Sequence, residues 1–208
     1  MNDSIEGDTE NANKNNNLIS ILILGKQKVG KTRLLLKYVE NTYNENYLTT
    51  IGINYRIMDK KIGKKIYRIR LIDPSYILNY TLFNINYEGI MFVYDITNQE
   101  SIDGISDMIK YFQDEKGKNF PMILLGNKID EINYRQIFKE DGEKLAEENS
   151  IKFYEISCKK DIKIDAALIY IVKKITNKRA KENMEEKMKK EGRSDKNANL
   201  NGCHNACF

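Results

Sequence analysis

The sequence predicts an α/β protein with a mostly parallel sheet of six strands, one of them antiparallel, and helices on both faces of the sheet. Short apolar runs alternate with helical patterns along the chain, which is typical of a parallel sheet. Three runs are mainly apolar, as expected of strands buried on both faces of a sheet: Leu18–Leu24, Gly89–Asp95 and residues 121–128. Strands at residues 51–58 and 66–72 flank a polar, glycine-containing stretch, residues 59–65, which predicts an antiparallel hairpin.

Length and composition indicate one folded domain with a terminal segment on each side. The chain has 208 residues, 41% of them hydrophobic, which is enough for one well-buried core. We predict a disordered leader over residues 1–17, a folded domain over residues 18–177 and a flexible basic tail over residues 178–208. A last short strand is predicted at residues 152–157. Helices are predicted at Lys31–Glu40 and at residues 101–115, 134–148 and 162–175.

The positive charge of the chain is concentrated near its C-terminal end. The formal net charge is +4, and residues 173–196 carry ten Lys or Arg against five Asp or Glu. This distribution argues against a nucleic-acid-binding domain and favours a tail drawn to an acidic membrane surface. No apolar run has the length of a membrane-spanning helix, and residues 1–17 lack the layout of a signal peptide, so we expect a cytosolic protein.

The segment after the first strand fits a phosphate-binding loop, G-x-x-x-x-G-K-[ST], with the sequence GKQKVGKT over residues 25–32. Its glycines let backbone N–H groups wrap around phosphates, and the loop opens a helix whose N-terminal dipole favours anions. Lys31 can reach the β- and γ-phosphates, and the Thr32 hydroxyl can ligate Mg²⁺. An ordinary glycine-containing turn is the alternative, and a solvated loop lysine is the other reading of Lys28. The predicted nucleotide-binding residues here are Gly25, Gln27, Lys28, Val29, Gly30, Lys31, Thr32 and Arg33.

A second motif, N-K-x-D, follows the third apolar strand and predicts recognition of guanine. It comprises Asn127, Lys128 and Asp130, in the crevice at the carboxyl ends of the strands where α/β folds bind ligands. Guanine presents two adjacent N–H donors, which the Asp130 carboxylate can accept together, whereas adenine lacks that pair. We expect Lys128 to pack its stem over the ring and Asn127 to tie this loop to the phosphate loop. Three residues after the last strand could bring N–H groups to the guanine oxygen, or form only a strand-end turn: Ser157, Cys158 and Lys159.

These motifs, in this order, resemble those of small GTPases of the Ras superfamily, and the chain is most similar to the Rab family from about residue 18 to residue 177. The segments YLTTIGINY (residues 47–55) and YDITNQES (residues 94–101) also resemble Rab sequences. The resemblance implies the P-loop GTPase fold, or G domain, with GTP or GDP and Mg²⁺ as ligands. It further implies that Thr50 binds Mg²⁺ and senses the γ-phosphate, and that Asp73 holds Mg²⁺ through a water. Tyr43 stands where the family has an aromatic residue on guanine; otherwise it is a surface or core tyrosine.

The resemblance breaks in the switch II region. The family has W-D-T-A-G-Q-E after the third strand, whereas this chain reads IDPSYIL over residues 72–78. The glycine that contacts the γ-phosphate and the glutamine that orients the attacking water are both absent. Tyr76 cannot adopt every glycine conformation, and Pro74 has no N–H to donate. We therefore assign no catalytic residue and predict very slow GTP hydrolysis. The alternative is a pseudo-GTPase, a nucleotide-stabilised interaction module, and the N-K-x-D motif disfavours an ATPase or kinase.

The end of the chain carries two of its three cysteines, Cys203 and Cys207. They resemble the prenylated cysteine pair of Rab tails but stand farther apart, and a C-a-a-X box would need a cysteine where Asn205 stands. We predict prenylation at these cysteines, with an unmodified tail as the alternative; neither a disulfide framework nor a zinc site is expected. The resemblance implies a monomeric switch in vesicle traffic on the cytosolic face of intracellular membranes. It would bind guanine nucleotide, effectors and regulators, but no nucleic acid.

Overall fold

Six strands form one sheet in the order β2-β3-β1-β4-β5-β6. The structure is a computed structural model that describes residues 18–40, 54–74 and 86–201. β2 pairs antiparallel with β3, and every other neighbouring pair is parallel. The predicted fold class is therefore confirmed. The strands are β1 (Leu18–Leu24), β2 (Asn54–Ile62), β3 (Lys65–Asp73), β4 (Gly89–Asp95), β5 (Met122–Asn127) and β6 (Lys152–Glu155).

The helices within the described ranges are α1 (Lys31–Glu40), α2 (Ile105–Lys116), α3 (Lys139–Glu148) and α4 (Ile164–Asn201). The bounds of α1 are those predicted. The predicted start of α2 at residue 101 is wrong because Gln99–Ile102 form a separate 3-10 turn. Gly104, with φ of +77°, then interrupts the path before the α-helix begins.

The predicted start of α3 at residue 134 is wrong because the preceding chain is hydrogen-bonded to another loop. The N–H groups of Gln136 and Ile137 both donate to the carbonyl of Ile96, at 2.8 and 3.0 Å, which removes them from any helical ladder. The helix starts five residues later, at Lys139, where Phe138 N donates to Asp141 Oδ2 at 3.0 Å and so caps the first turn.

Both faces of the sheet are covered, and this is why the central strands are continuously apolar. Every residue of β4 and β5 is buried. On one face, Phe92 and Leu124 pack with Ile109 and Phe112 of α2. The alternate side chains, which point to the opposite face, are equally buried, as are those of α1 that face inward. Tyr38 of α1 donates its hydroxyl to the carbonyl of Ile164, at 2.9 Å.

The helix α4 extends beyond the predicted end at residue 175. The described chain divides into two compact units, the first ending at Val172 and the second beginning at Lys173, and α4 contributes residues to both. Within the described ranges, every helix is too short or too polar to traverse a lipid bilayer.

The hairpin of β2 and β3 is tighter than the polar stretch at residues 59–65 suggested. Ladder pairing continues to Ile62 and Lys65, which face each other across the turn. Gly63 supplies the positive φ, +62°, that such a short connection requires. The polar residues on both sides of the turn are therefore strand residues rather than loop residues.

Candidate nucleotide-binding site

The phosphate loop has a backbone shape that only glycine fits at two positions. Gly25 has φ of +152°, and a Cβ there would stand 2.1 Å from the carbonyl oxygen of Val93. Gly30 has φ of +102°, and a Cβ there would stand 2.4 Å from Asn127 Nδ2. Both distances are far below a van der Waals contact, so both glycines are required by close approach of the neighbouring chain. The loop connects β1 to the N-terminus of α1, as predicted.

Lys31 lies inside the curve of this loop. Its Nζ donates to the carbonyls of Gly25, at 2.9 Å, and Lys26, at 2.8 Å, and the residue is buried. Desolvation lowers the pKa of Lys31 from its ordinary value, and the nearby Asp73 carboxylate acts in the opposite direction. A partly desolvated cation enclosed by a loop of this shape is suited to an anionic ligand.

Thr32 and Asp73 bring two oxygen ligands together from different elements. Thr32 Oγ1, in the first turn of α1, donates to Asp73 Oδ2, at the end of β3, at 2.7 Å. The described residues contain no cluster of three His, Cys, Asp or Glu side chains that could hold a metal ion. Mg²⁺ does not need one, because it binds through one or two protein oxygens together with phosphates and waters. The Thr32–Asp73 pair therefore fits Mg²⁺ held with a nucleotide.

Asn127 joins three loops at the end of β5. Its Nδ2 donates to the carbonyl of Val29 in the phosphate loop, at 2.9 Å, and its Oδ1 accepts from Cys158 N, at 3.2 Å. The contact predicted between Asn127 and the phosphate loop is present. The Cys158 N–H is engaged by the Asn127 side chain, so Asn127 also orients the loop at residues 157–159. Burial raises the pKa of the Cys158 thiol to about 12, and a hydrogen bond between the thiol and the Asn127 side chain only partly opposes that rise.

The side chain of Asp130 is only 4% exposed, and the chain after β6 orients it. Ser157 Oγ donates to Asp130 Oδ1 at 2.5 Å and accepts from Lys160 N at 3.0 Å. Lys159 Nζ lies 3.9 Å from Asp130 Oδ2. A cavity of about 280 Å³ opens in front of this carboxylate. The cavity is lined by Gly30, Arg33, Asn127, Lys128, Asp130, Glu131, Cys158 and Lys159.

Lys128 is held by a residue that the sequence reasoning did not place in the site. Its Nζ donates to Asp95 Oδ2, at the end of β4, at 2.5 Å. Asp95 Oδ1 accepts from both N and Oγ1 of Thr97, at 2.9 and 2.7 Å. The Ser101 hydroxyl accepts from Asp95 N at 2.9 Å and so fixes the backbone. The Rab-like segment at residues 94–101 contained the signal, but only the pairing of β4 with β5 shows that Asp95 meets Lys128.

The remaining predicted residues divide into exposed, buried and undescribed positions. Gln27 and Lys28 are exposed, and Lys28 has φ of +67°, whereas Val29 is buried under the loop. Pro74 is the last described residue before the switch II segment. Tyr43, Thr50, Cys203 and Cys207 lie outside the described residues.

The fold and these motifs define a small GTPase. The Ras family model matches residues 20–177. The chain is 34% identical over 165 residues to Ras-related protein Rab-8 of Diplobatis ommata, which covers 77% of this chain and 79% of the relative. It is 33% identical over 165 residues to Ras-related protein Rab-8B of Bos taurus and Ras-related protein Rab-8A of Rattus norvegicus, with 77% of this chain and 80% of each relative covered. The chain belongs to the Ras family, and within it is similar to Rab proteins.

Proposed function

We propose that this protein is a guanine-nucleotide switch that binds GTP or GDP with Mg²⁺ and offers nucleotide-dependent surfaces to effectors and regulators. One observation carries the proposal: Asn127 joins the phosphate loop to the cavity in front of Asp130. Phosphate recognition and base recognition thus belong to one continuous site. Membership of the Ras family supports the same ligand.

Each part of the nucleotide has residues suited to it. The loop from Gly25 to Arg33 would hold the phosphates, with the Lys31 ammonium compensating their charge. Thr32 would bind Mg²⁺ directly and Asp73 through a water. Bound Mg²⁺ would neutralise part of the negative charge of the phosphate oxygens. By family resemblance Thr50 and Tyr43 complete the set, at the metal and over the base.

Base recognition is assigned to Asp130, with Asn127, Lys128 and the loop at residues 157–159 as its support. The test is competition of GDP against ADP for purified protein. Two charge-assisted hydrogen bonds are worth about 3–6 kcal/mol together, so Asp130→Ala should lower the preference for GDP by roughly 100-fold or more. Asp114→Ala, an exposed residue of α2, is the matched control and should keep the preference. An unchanged preference in Asp130→Ala would refute the assignment.

We further propose that hydrolysis is very slow. The support is the sequence after Asp73, which has Tyr76 and Ile77 where the family has its glycine and glutamine. Single-turnover hydrolysis should proceed below the order of 10⁻⁴ per second found for an intrinsic Ras GTPase. Tyr76→Gly combined with Ile77→Gln should raise the rate. A wild-type rate at or above that order contradicts the proposal, whereas stable GTP binding with no turnover favours the pseudo-GTPase.

A weak switch II response is part of the same proposal. Hydrogen exchange over residues 73–88 should differ little between the GTP- and GDP-bound protein, because the glycine that reads the γ-phosphate in the family is missing. A large difference over this segment would contradict that expectation.

Finally, we propose a peripheral role in vesicle traffic at the cytosolic face of intracellular membranes. Rab relatives, the basic segment at residues 173–196 and the two terminal cysteines support it. One lipid gives marginal anchoring, and a second lipid or a polybasic segment makes it stable. Intact-mass measurement of protein from its native cell should show prenyl groups at Cys203 or Cys207. An unmodified mass would refute lipidation.

A further inference from the structure

A basic cluster lies at the end of the β2–β3 hairpin, far in sequence from the basic tail. Residues 60–70 contain six Lys or Arg and no Asp or Glu. The small net charge of the whole chain conceals this cluster, because acidic residues elsewhere balance it. We define the hairpin tip as residues 61–66, which comprise the two-residue turn and two residues of each strand.

Only part of the cluster is engaged by the rest of the molecule. Lys60 Nζ donates to both carboxylate oxygens of Asp165, at 2.8 and 2.9 Å. Arg70 donates to Ser20 Oγ and to the carbonyl of Asn86, at 3.1 and 3.0 Å. Within residues 18–40, 54–74 and 86–190, by contrast, no acidic side chain forms an ion pair with the lysines of the hairpin tip: Lys61, Lys64 and Lys65. All three are exposed.

An aliphatic side chain stands among these lysines. Ile66 is 65% exposed and lies directly across the strands from Lys61. Cross-strand partners share one face of a hairpin, so Lys61 and Ile66 point the same way. Ile62 and Lys65 form the next pair, on the other face, and Ile62 is buried there. The hairpin tip therefore presents Ile66 beside Lys61 on one face, Lys65 on the other face and Lys64 in the turn, and these lysines have no acidic partner within the described ranges.

The hairpin tip and the nucleotide site lie at opposite ends of the sheet. β3 begins at Lys65, beside the turn, and ends at Asp73, beside Thr32. Nine residues of strand span roughly 25–30 Å. A surface that binds the hairpin tip therefore leaves the nucleotide site and its surroundings accessible.

We propose that the hairpin tip docks on an anionic membrane surface. Lys61, Lys64 and Lys65 would contact the acidic headgroups, and Ile66 would enter the interface between headgroups and acyl chains. Charge complementarity favours this occupant, since each lysine near an anionic leaflet improves binding by on the order of fivefold. A short convex turn also suits a flat, deformable bilayer, because it offers no pocket for a peptide. This contact is additional to the tail and to any lipid.

Vesicle sedimentation of the full-length, unlipidated, GDP-loaded protein tests the proposal, with phosphatidylcholine vesicles containing or lacking phosphatidylserine. Lys64→Glu with Lys65→Glu should lower binding to the acidic vesicles by roughly 25-fold or more, from two charges at about fivefold each. The matched control, Lys110→Glu with Lys118→Glu, makes the same change of net charge on exposed residues of and next to α2 and keeps the tail. It should lose far less.

A second pair of variants examines the apolar group. Ile66→Ser should reduce binding to the acidic vesicles severalfold, whereas Ile132→Ser, which changes another exposed isoleucine (58%), should not. The proposal is overturned if the hairpin-tip and control lysine variants lose binding equally, if the wild type does not bind acidic vesicles, or if it binds neutral vesicles as well. The proposal is also overturned if polyuridylate displaces the wild type from the vesicles and binds it through the hairpin-tip lysines. That result would assign the surface to nucleic acid. GDP retention by each variant is measured in parallel. It tests the proposed nucleotide site, and its outcome does not depend on whether the hairpin tip binds membranes.

Discussion

Replacing Asp95 by asparagine should weaken guanine-nucleotide binding, although Asp95 is absent from the wall of the cavity. The change keeps an oxygen that can accept from Thr97 but removes the negative charge that holds Lys128 Nζ at 2.5 Å. A hydrogen bond between charged groups contributes about 1.5–3 kcal/mol. The Asp95 side chain is 8% exposed but that of Lys128 is 30% exposed, so solvent screening reduces the figure to about 1–2 kcal/mol.

The ion pair with Asp95 holds Lys128 in position, and the stem of Lys128 is proposed to lie along the guanine ring. A loss of about 1–2 kcal/mol corresponds to roughly 5–30-fold weaker GDP binding. Dissociation of a fluorescent GDP analogue, followed by stopped flow, measures it. Asp114→Asn on the surface of α2 is the matched control and should leave dissociation unchanged.

A double-mutant cycle distinguishes positioning of Lys128 from a general loss of stability. If Asp95 acts through Lys128, adding Asp95→Asn to Lys128→Met should cost little beyond Lys128→Met alone. The thermal midpoint of each variant, measured with saturating GDP, controls for misfolding. Fully additive effects, or GDP dissociation unchanged in Asp95→Asn, would refute the reasoning.

Three further changes have consequences set by local geometry. Gly30→Ala would place a Cβ 2.4 Å from Asn127 Nδ2, at a φ of +102°. The purified variant should therefore retain much less nucleotide, and its free energy of unfolding should fall by about 1–3 kcal/mol. Full nucleotide retention would contradict this. Tyr94→Phe removes a buried hydroxyl for which the described residues provide no hydrogen-bond partner, so urea unfolding should show an unchanged or slightly higher stability, and a clear loss would contradict this. The pKa of the Cys158 thiol is about 12 in the folded protein, against an ordinary value of 9.0. Above about pH 9 the unfolded chain releases this proton while the folded chain keeps it, so the free energy of unfolding should fall as the pH rises. Urea titrations at about pH 8 and about pH 10.5 should show a smaller fall for Cys158→Ala than for the wild type.

The elements whose bounds were predicted best are two buried strands and the helix that follows the phosphate loop. β1, β4 and α1 have the predicted bounds, because a strand covered on both faces must be apolar throughout and the phosphate loop fixes where α1 begins. The starts of α2 and α3 were wrong because they depend on contacts distant in sequence. Donation of Gln136 N and Ile137 N to Ile96 cannot be inferred from a helical pattern of side chains.

The motifs of the candidate site were predicted from the sequence, but the side chains that orient the motif residues were not. The residues proposed to contact the nucleotide directly fall into recognisable spacings, as in the phosphate loop and at Asp130. The partners that orient them, such as Asp95 for Lys128, come from neighbouring strands, so their roles become visible only when strand order is known. Charge was misleading for a similar reason. Positive and negative charges nearly cancel when they are summed over the domain, whereas several lysines lie together at the turn of the β2–β3 hairpin.

Tyr94 shows how packing behind the site makes these supports rigid. Its ring stacks on Phe153 of β6, with centroids 6.4 Å apart, and its hydroxyl oxygen lies where a side chain on Gly126 or Gly142 would begin, 2.7 and 2.3 Å from a Cβ built there. The glycine before Asn127 is thus required by a tyrosine of the adjacent strand. Tyr94 directly precedes Asp95 and Gly126 directly precedes Asn127, so this contact adds to the strand pairing that holds the ends of β4 and β5 together. The ring carbon Cζ of Tyr94 would itself stand 2.9 Å from a Cβ on Gly126, so the ring alone excludes a side chain there, and the hydroxyl has no hydrogen-bond partner within the described residues. Tyr94→Phe should therefore preserve GDP binding, whereas Gly126→Ala should weaken it.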